Sequence, residues 1–280
     1  MVPAPTPAEM RNCLLPLETA VFSGTSALQA QNLGADRVEL NAPGSYPQGG
    51  TTPPLRDLLA VKHNLEIPIR IMIRPRGPPS DGSPDFIYSD VEFEQMRQAI
   101  RDFKAADVLN PIAGDGFVFG VLKYRDLDNI ETPLERVTID KERCKELIEL
   151  ARPLPCIFHR AFDTIAGSSR WEEGVEDLKD CGFEAVLTSG GQGNCADNMD
   201  RLEQMCRRIG KDLQLIVGGG LRPHNVESIA SRLSTYLEVG VYLHTGAIRL
   251  HTDGRTPVSD HVDAELLGDT VAALGVAVPD

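Results

Sequence analysis

Three polar side chains close an otherwise apolar run in CIFHRAFD, residues 156 to 163: His159, Arg160 and Asp163. An acid–base ring, a fixed cation and a carboxylate so close in sequence can move a proton beside an anion. Two other runs end in the same way. IPIRIMIRPR, residues 67 to 76, stops at Arg74 and Arg76, and DRVELN, residues 36 to 41, alternates Arg37 and Glu39 with Val38 and Leu40. Glu18 sits in a comparable apolar stretch nearer the start. In this pattern Arg74, Arg76 and Arg160 would clamp anionic groups, while Glu39 or His159 would carry the proton. Glu39, placed between arginines, is expected to keep a low pKa. VGGGLRP, residues 217 to 223, and HTGAIR, residues 244 to 249, suggest a second kind of chemistry. Gly218, Gly219, Gly220 and Gly246 would let backbone N–H groups approach a phosphate. A triple glycine can equally be a plain turn.

These residues need a scaffold that gathers strand ends. Eight apolar runs read as strands: near Leu15 to Val21, Arg37 to Asn41, Ile69 to Ile73, Phe117 to Val121, Cys156 to His159, Ala185 to Thr188, Leu213 to Val217 and Leu237 to Leu243. Helix-period segments separate several of them, at Val91 to Ala105, Lys141 to Ala151, Trp171 to Cys181, Asn198 to Ile209 and Asn225 to Arg232. Asp90 and Asp140 are candidate helix N-caps. The alternation predicts an α/β fold, a single (β/α)8 TIM-like barrel over residues 14–280 behind a flexible arm over residues 1–13. The Gly- and Pro-rich residues 75 to 85 predict a long loop after the third strand, on the face where barrels act. Strand parity turns Glu18, Arg37, Glu39, Asn41, Arg70, Met72, Arg74, Ile157, His159, Tyr242 and His244 inward. If YLEVG supplied the last strand instead, Glu238 would replace Tyr242. Charges buried in a barrel must pair, so the same set also reads as a structural ion network.

The chain has 280 residues and a formal net charge of -13, with no basic run, which argues against a nucleic-acid partner. No run approaches the ~20 apolar residues of a membrane helix. MVPAPTPAEMRNC lacks the basic and apolar start of a secretory signal, so a cytoplasmic setting is expected. The six cysteines (Cys13, Cys144, Cys156, Cys181, Cys195, Cys206) form no CxxC pair and read as reduced, mostly packing thiols. His63, His224, His251 and His261 read as surface residues, with His224 in a turn.

In order along the chain, DRVELN, QGGTTP, IMIRPRG, FIYSD, FHRAFD, VLTSGG and the VGGG turn resemble the signature of the CutC copper homeostasis family. The resemblance runs from about Leu17 to about Gly246. It implies a TIM-like barrel, a cytosolic role in copper handling, copper as the bound ion, and self-association into a homo-oligomer. It also implies a barrel-mouth set of Glu18, Arg37, Glu39, Arg74, Arg76, His159, Arg160, Asp163 and Ser189. Where relatives commonly carry cysteines, this chain has Ala20 and Asn41, which removes the thiolates that Cu(I) prefers. His159 and His244 with Glu39 would then offer a harder site, suited to Cu(II) or Zn(II). Two other functions compete with copper handling. One is a barrel enzyme acting on a small anionic or phosphorylated metabolite, and the other is an interaction protein that uses the barrel as a scaffold.

Overall fold

The computed structural model describes residues 15–125, 136–236, 238–253 and 256–275. The expected arm over residues 1–13, with Cys13, lies outside the described residues. Along the chain run β1 (Leu17–Val21), α1 (Gly24–Asn32), β2 (Arg37–Leu40), α2 (Leu55–Leu59), β3 (Ile69–Met72), α3 (Asp90–Ala105) and β4 (Gly116–Phe119). There follow β5 (Leu122–Tyr124), β6 (Val137–Ile139), α4 (Lys141–Ala151), β7 (Cys156–Phe158), α5 (Phe162–Ala166), α6 (Trp171–Cys181) and β8 (Ala185–Thr188). The chain continues through α7 (Met199–Ile209), β9 (Gln214–Gly218), α8 (Pro223–Leu233), β10 (Val241–Thr245) and α9 (Ala264–Ala273).

Eight of these strands close a parallel barrel in the order β1-β10-β9-β8-β7-β4-β3-β2, with β5 and β6 forming a separate antiparallel pair. The fold is therefore a single TIM-like barrel, with helices between its strands. Alternation along the strands fixes the two faces. Leu17, Val21, Val38, Leu40, Ile69, Ile71 and Ile73 pack outward in the main core against the helices, whereas Met72, Val118, Ile157, Ala185, Leu187 and Ile216 form an inner cluster with Tyr242. The last strand is Val241–Thr245, so Tyr242 and not Glu238 takes the inward place.

Local chemistry explains the helix starts. Ser89, not Asp90, caps α3: its side chain accepts from the Glu92 N–H while Glu92 reaches back, a capping box that outcompetes an aspartate one residue later. Below that cap, Phe93, Met96, Ile100 and Phe103 repeat at helical spacing and are buried. Asp140 caps α4 as its sequence suggests. His224 lies in the first turn of α8 rather than in a free turn, because Pro223 suits a helix start. Among the described residues, no helix is long and apolar enough to cross a membrane.

The amino-terminal end of the barrel is sealed by ion pairs. Asp115, fully buried, accepts from the Ile69 and Asn110 N–H groups at 3.0 and 2.8 Å and pairs with Lys62 Nζ at 2.6 Å. Arg70 reaches Glu184 at 2.6 Å across the barrel. A side chain at Gly116 would lie 2.4 Å from Arg70 Nη1 and 2.3 Å from the Pro155 carbonyl, so only glycine leaves room for that guanidinium.

Candidate active site and metal site

At the carboxyl ends of the strands the barrel opens into a cavity of about 840 Å³. Its lining includes Glu39, Arg74, His159, Arg160, Asp163, Gly219, Gly220, His244 and Gly246 from the sequence-derived set. Glu18, Arg76 and Gly218 do not line it. Glu18 lies beneath, Gly218 ends β9 packed against Leu187 and His244, and Arg76 turns away toward Glu92. Ala20, Phe22, Tyr46, Phe86 and Arg222 complete much of the wall.

The floor is polar on one side only. Parallel pairing sets Glu18 beside Arg37 on one flank and His244 on the other. Its carboxylate accepts from Arg37 Nε through one oxygen and meets His244 Nδ1 at 2.7 Å through the other. Burial opposes a charge on Glu18, yet Arg37 and the bonded His244 hold its carboxyl well below the usual range. The Arg37 guanidinium also lies 3.9 Å from the Tyr242 ring centroid. For His244, burial favours the neutral ring, but the Glu18 bond and the Glu39 and Glu18 charges outweigh it and raise its pKa above the ordinary value.

Glu39 corrects the expectation of a low pKa. It is not held between arginines: burial and the neighbouring Glu18 charge raise its pKa, against the attraction of His244, Asn41 and Arg37. Asn41 Nδ2 donates to Oε1 at 3.1 Å, and Oε2 has no partner among the described residues. Ligand atoms of Glu18, Glu39 and His244 lie within 4.8 Å of one another, the arrangement a metal ion needs. His159 does not join that group. Because Glu18 engages Nδ1 of His244, the other ring nitrogen is left for a ligand, as in carboxylate–histidine–metal triads.

His159 follows β7 at the far side of the cavity. Its Nδ1 accepts from the Ala161 N–H at 3.3 Å, and its Nε2 is buried without a described partner. Burial, with the Arg74 charge nearby, pushes its pKa down to about 3, so the ring is neutral at ordinary pH. A neutral ring whose Nδ1 accepts must carry its proton on Nε2, which makes Nε2 the ring's donor. Beside it Asp163 receives Arg160 Nε at 2.8 Å, Thr188 Oγ1 at 2.7 Å and the Ser189 N–H at 2.8 Å. Asp163 thereby orients Arg160 and ties the β7 and β8 ends together.

The two arginines after β3 serve the walls. Arg74 donates to the Gln48 and Gly50 carbonyls at 2.5 and 2.8 Å and to Asp85 at 2.7 Å. Arg76 bonds Glu92, Asp85 and the Ile87 carbonyl. Both anchor the stretch over residues 75 to 85 to the barrel, and Pro78 and Asp85 from it reach the cavity. Sequence reading missed Arg222 as a site residue. Its only signal was its place directly behind the glycines of VGGGLRP.

The family model of the CutC family matches residues 15–244. This protein belongs to the CutC family. A human relative called "Copper homeostasis protein cutC homolog" is 37% identical over 213 residues, covering 76% of this chain and 68% of its own. A Drosophila melanogaster relative with the same description is 34% identical over 221 residues, covering 79% and 74%. A crystal structure described as the putative copper homeostasis protein CutC from Streptococcus agalactiae superposes with a TM-score of 0.65 at 25% identity, covering 83% of this chain and 98% of that one. In this CutC family member, the five described cysteines are free and buried, and none lines the cavity. Burial pushes the Cys156 thiol up to about 12 and the Cys181 thiol to about 11, so they are packing groups rather than thiolates. Ala20 and Asn41, by contrast, both line the cavity, Ala20 being the register partner of Glu39.

Proposed function

We propose that this protein is a cytoplasmic copper-homeostasis protein whose barrel mouth takes a copper ion on nitrogen and oxygen rather than on sulfur. Its human and Drosophila relatives are named for copper homeostasis, and it shares their family. The observation that carries the reading is the buried Glu18, Glu39 and His244 group on the cavity side of β1, β2 and β10. Glu39 and His244 would hold the ion directly. Glu18 would act through the ring, fixing its tautomer and sharing its charge with Arg37. Such a donor set suits Cu(II) more than Cu(I), which prefers thiolates.

Competition titrations of the metal-free protein against chelators of known affinity test this reading, with Cu(II) in air and Cu(I) under anaerobic conditions. The expected result is one Cu(II) per chain, lost in Glu39→Gln and in His244→Leu, with Cu(I) held no more tightly than by any buried thiol. Cu(II) binding that survives both substitutions would refute the site.

A further inference from the structure

We infer that the same cavity holds a second, separate site for a small organic phosphate, seated on the turn between β9 and α8. Gly219 and Gly220 run through this turn at φ of 98° and 80°, a conformation that L side chains rarely adopt. No described residue accepts a hydrogen bond from the N–H of Gly220 or Leu221. Both groups lie just before the first turn of an eleven-residue helix, where backbone N–H groups and the helix dipole favour an anion. Two guanidinium groups flank them. A side chain at Gly219 would meet Arg160 Nη2 at 3.0 Å, so that arginine lies directly over the turn. Arg222, at the head of α8, donates Nη1 to the Leu221 carbonyl and forms no ion pair among the described residues.

An independent observation comes from the end of β7. His159 is 3% exposed, yet its Nε2–H has no described acceptor. A buried donor left unmade costs about 1–3 kcal/mol, so an acceptor on a bound molecule is the natural partner. The ligand class follows from size and polarity. A bare phosphate would fill little of a cavity of about 840 Å³, and the wall includes the apolar Met72, Phe86 and Leu187. A phosphate monoester with a short carbon chain and an oxygen at its far end satisfies the turn, the arginines and His159 together. The site rests on no metal ligand and stands whether or not copper binds.

Titration of the full chain in a metal chelator, with glycerol phosphate and separately with inorganic phosphate, tests the inference by calorimetry and 31P NMR. Saturable binding of glycerol phosphate is expected, at least about tenfold tighter than inorganic phosphate, equivalent to about 1.4 kcal/mol. It should weaken by about tenfold or more in Arg222→Met and in His159→Leu, and survive in His159→Gln, which keeps an N–H donor. Circular dichroism and thermal melts matching the parent establish that the variants are folded. No saturable binding at millimolar glycerol phosphate would overturn the proposal. So would equal affinity for inorganic phosphate, or binding indifferent to Arg222→Met.

Discussion

Replacing Glu18 by glutamine keeps the shape of the barrel floor and removes its central charge. Glu18 and Arg37 side chains are 2% and 3% exposed, so the change leaves a guanidinium buried without its counter-charge. Breaking a buried pair from one side costs about 3–5 kcal/mol. For a chain of this length each kcal/mol lowers Tm by about 2–4 °C, so a fall of roughly 10 °C is expected in thermal melts. The double variant Glu18→Leu with Arg37→Met should recover most of that loss, because removing both charges also removes their desolvation. His244 supplies a second readout. Its raised pKa depends in part on Glu18, so its contribution to stability is complete below the ordinary histidine value and is lost as pH rises through the raised one. In Glu18→Gln the His244 titration followed by NMR should move to lower pH. A melt within about 2 °C of the parent, together with an unmoved His244 midpoint, would refute the view that Glu18 holds this network.

Three further outcomes follow from other parts of the molecule. The unfolded chain protonates His159 near its ordinary pKa while the folded one resists until about 3; the stability this gives is full above pH ~6.5 and lost as pH falls toward 3, in total roughly 5 kcal/mol. Chemical denaturation at neutral and acidic pH should show that slope reduced in His159→Gln, and equal slopes would contradict the buried neutral ring. Ala20→Cys with Asn41→Cys places two thiols on the cavity wall beside Glu39, and anaerobic competition titrations should show Cu(I) affinity rising on the order of a hundredfold or more. Asp115→Asn weakens the Lys62 pair and the amide caps at the opposite end of the barrel, so stability in urea should drop by about 3 kcal/mol with metal titrations unchanged.

The barrel was legible because its signal is periodic. Ile69, Ile71 and Ile73 against Arg70, Met72 and Arg74 announce both a strand and its two faces, and the folded chain sorts them that way. The β5–β6 pair was not legible, since strands of three residues carry too little alternation to read. Site membership was harder still. That His159, Arg160 and Asp163 stand together follows from their sequence spacing, but the pairing of Glu18 with His244 joins residues at opposite ends of the chain and depends on barrel closure. The sign of the Glu39 shift was misread for the same reason. Arg37 and Arg70 flank it in sequence and register, yet their guanidiniums engage Glu18 and Glu184 instead. Charge proximity along a strand therefore says less about pKa than the partners each charge has already taken.

That division of partners gives the cavity two unlike halves. On the β10, β1 and β2 side, two carboxyls and a histidine share one arginine, and Glu39 is left with a raised pKa because burial and Glu18 both oppose its charge. A divalent cation entering there would relieve both penalties at once, because its charge offsets what burial and Glu18 impose on Glu39. On the β7 to β9 side the unmet groups are donors: His159 Nε2, Arg222 and the N–H groups of the glycine turn. An anion relieves those. Neither half can satisfy the other, since Glu39 makes no described bond to His159 or Arg222. The proposed copper site and the proposed phosphate site would thus draw on different groups of one mouth.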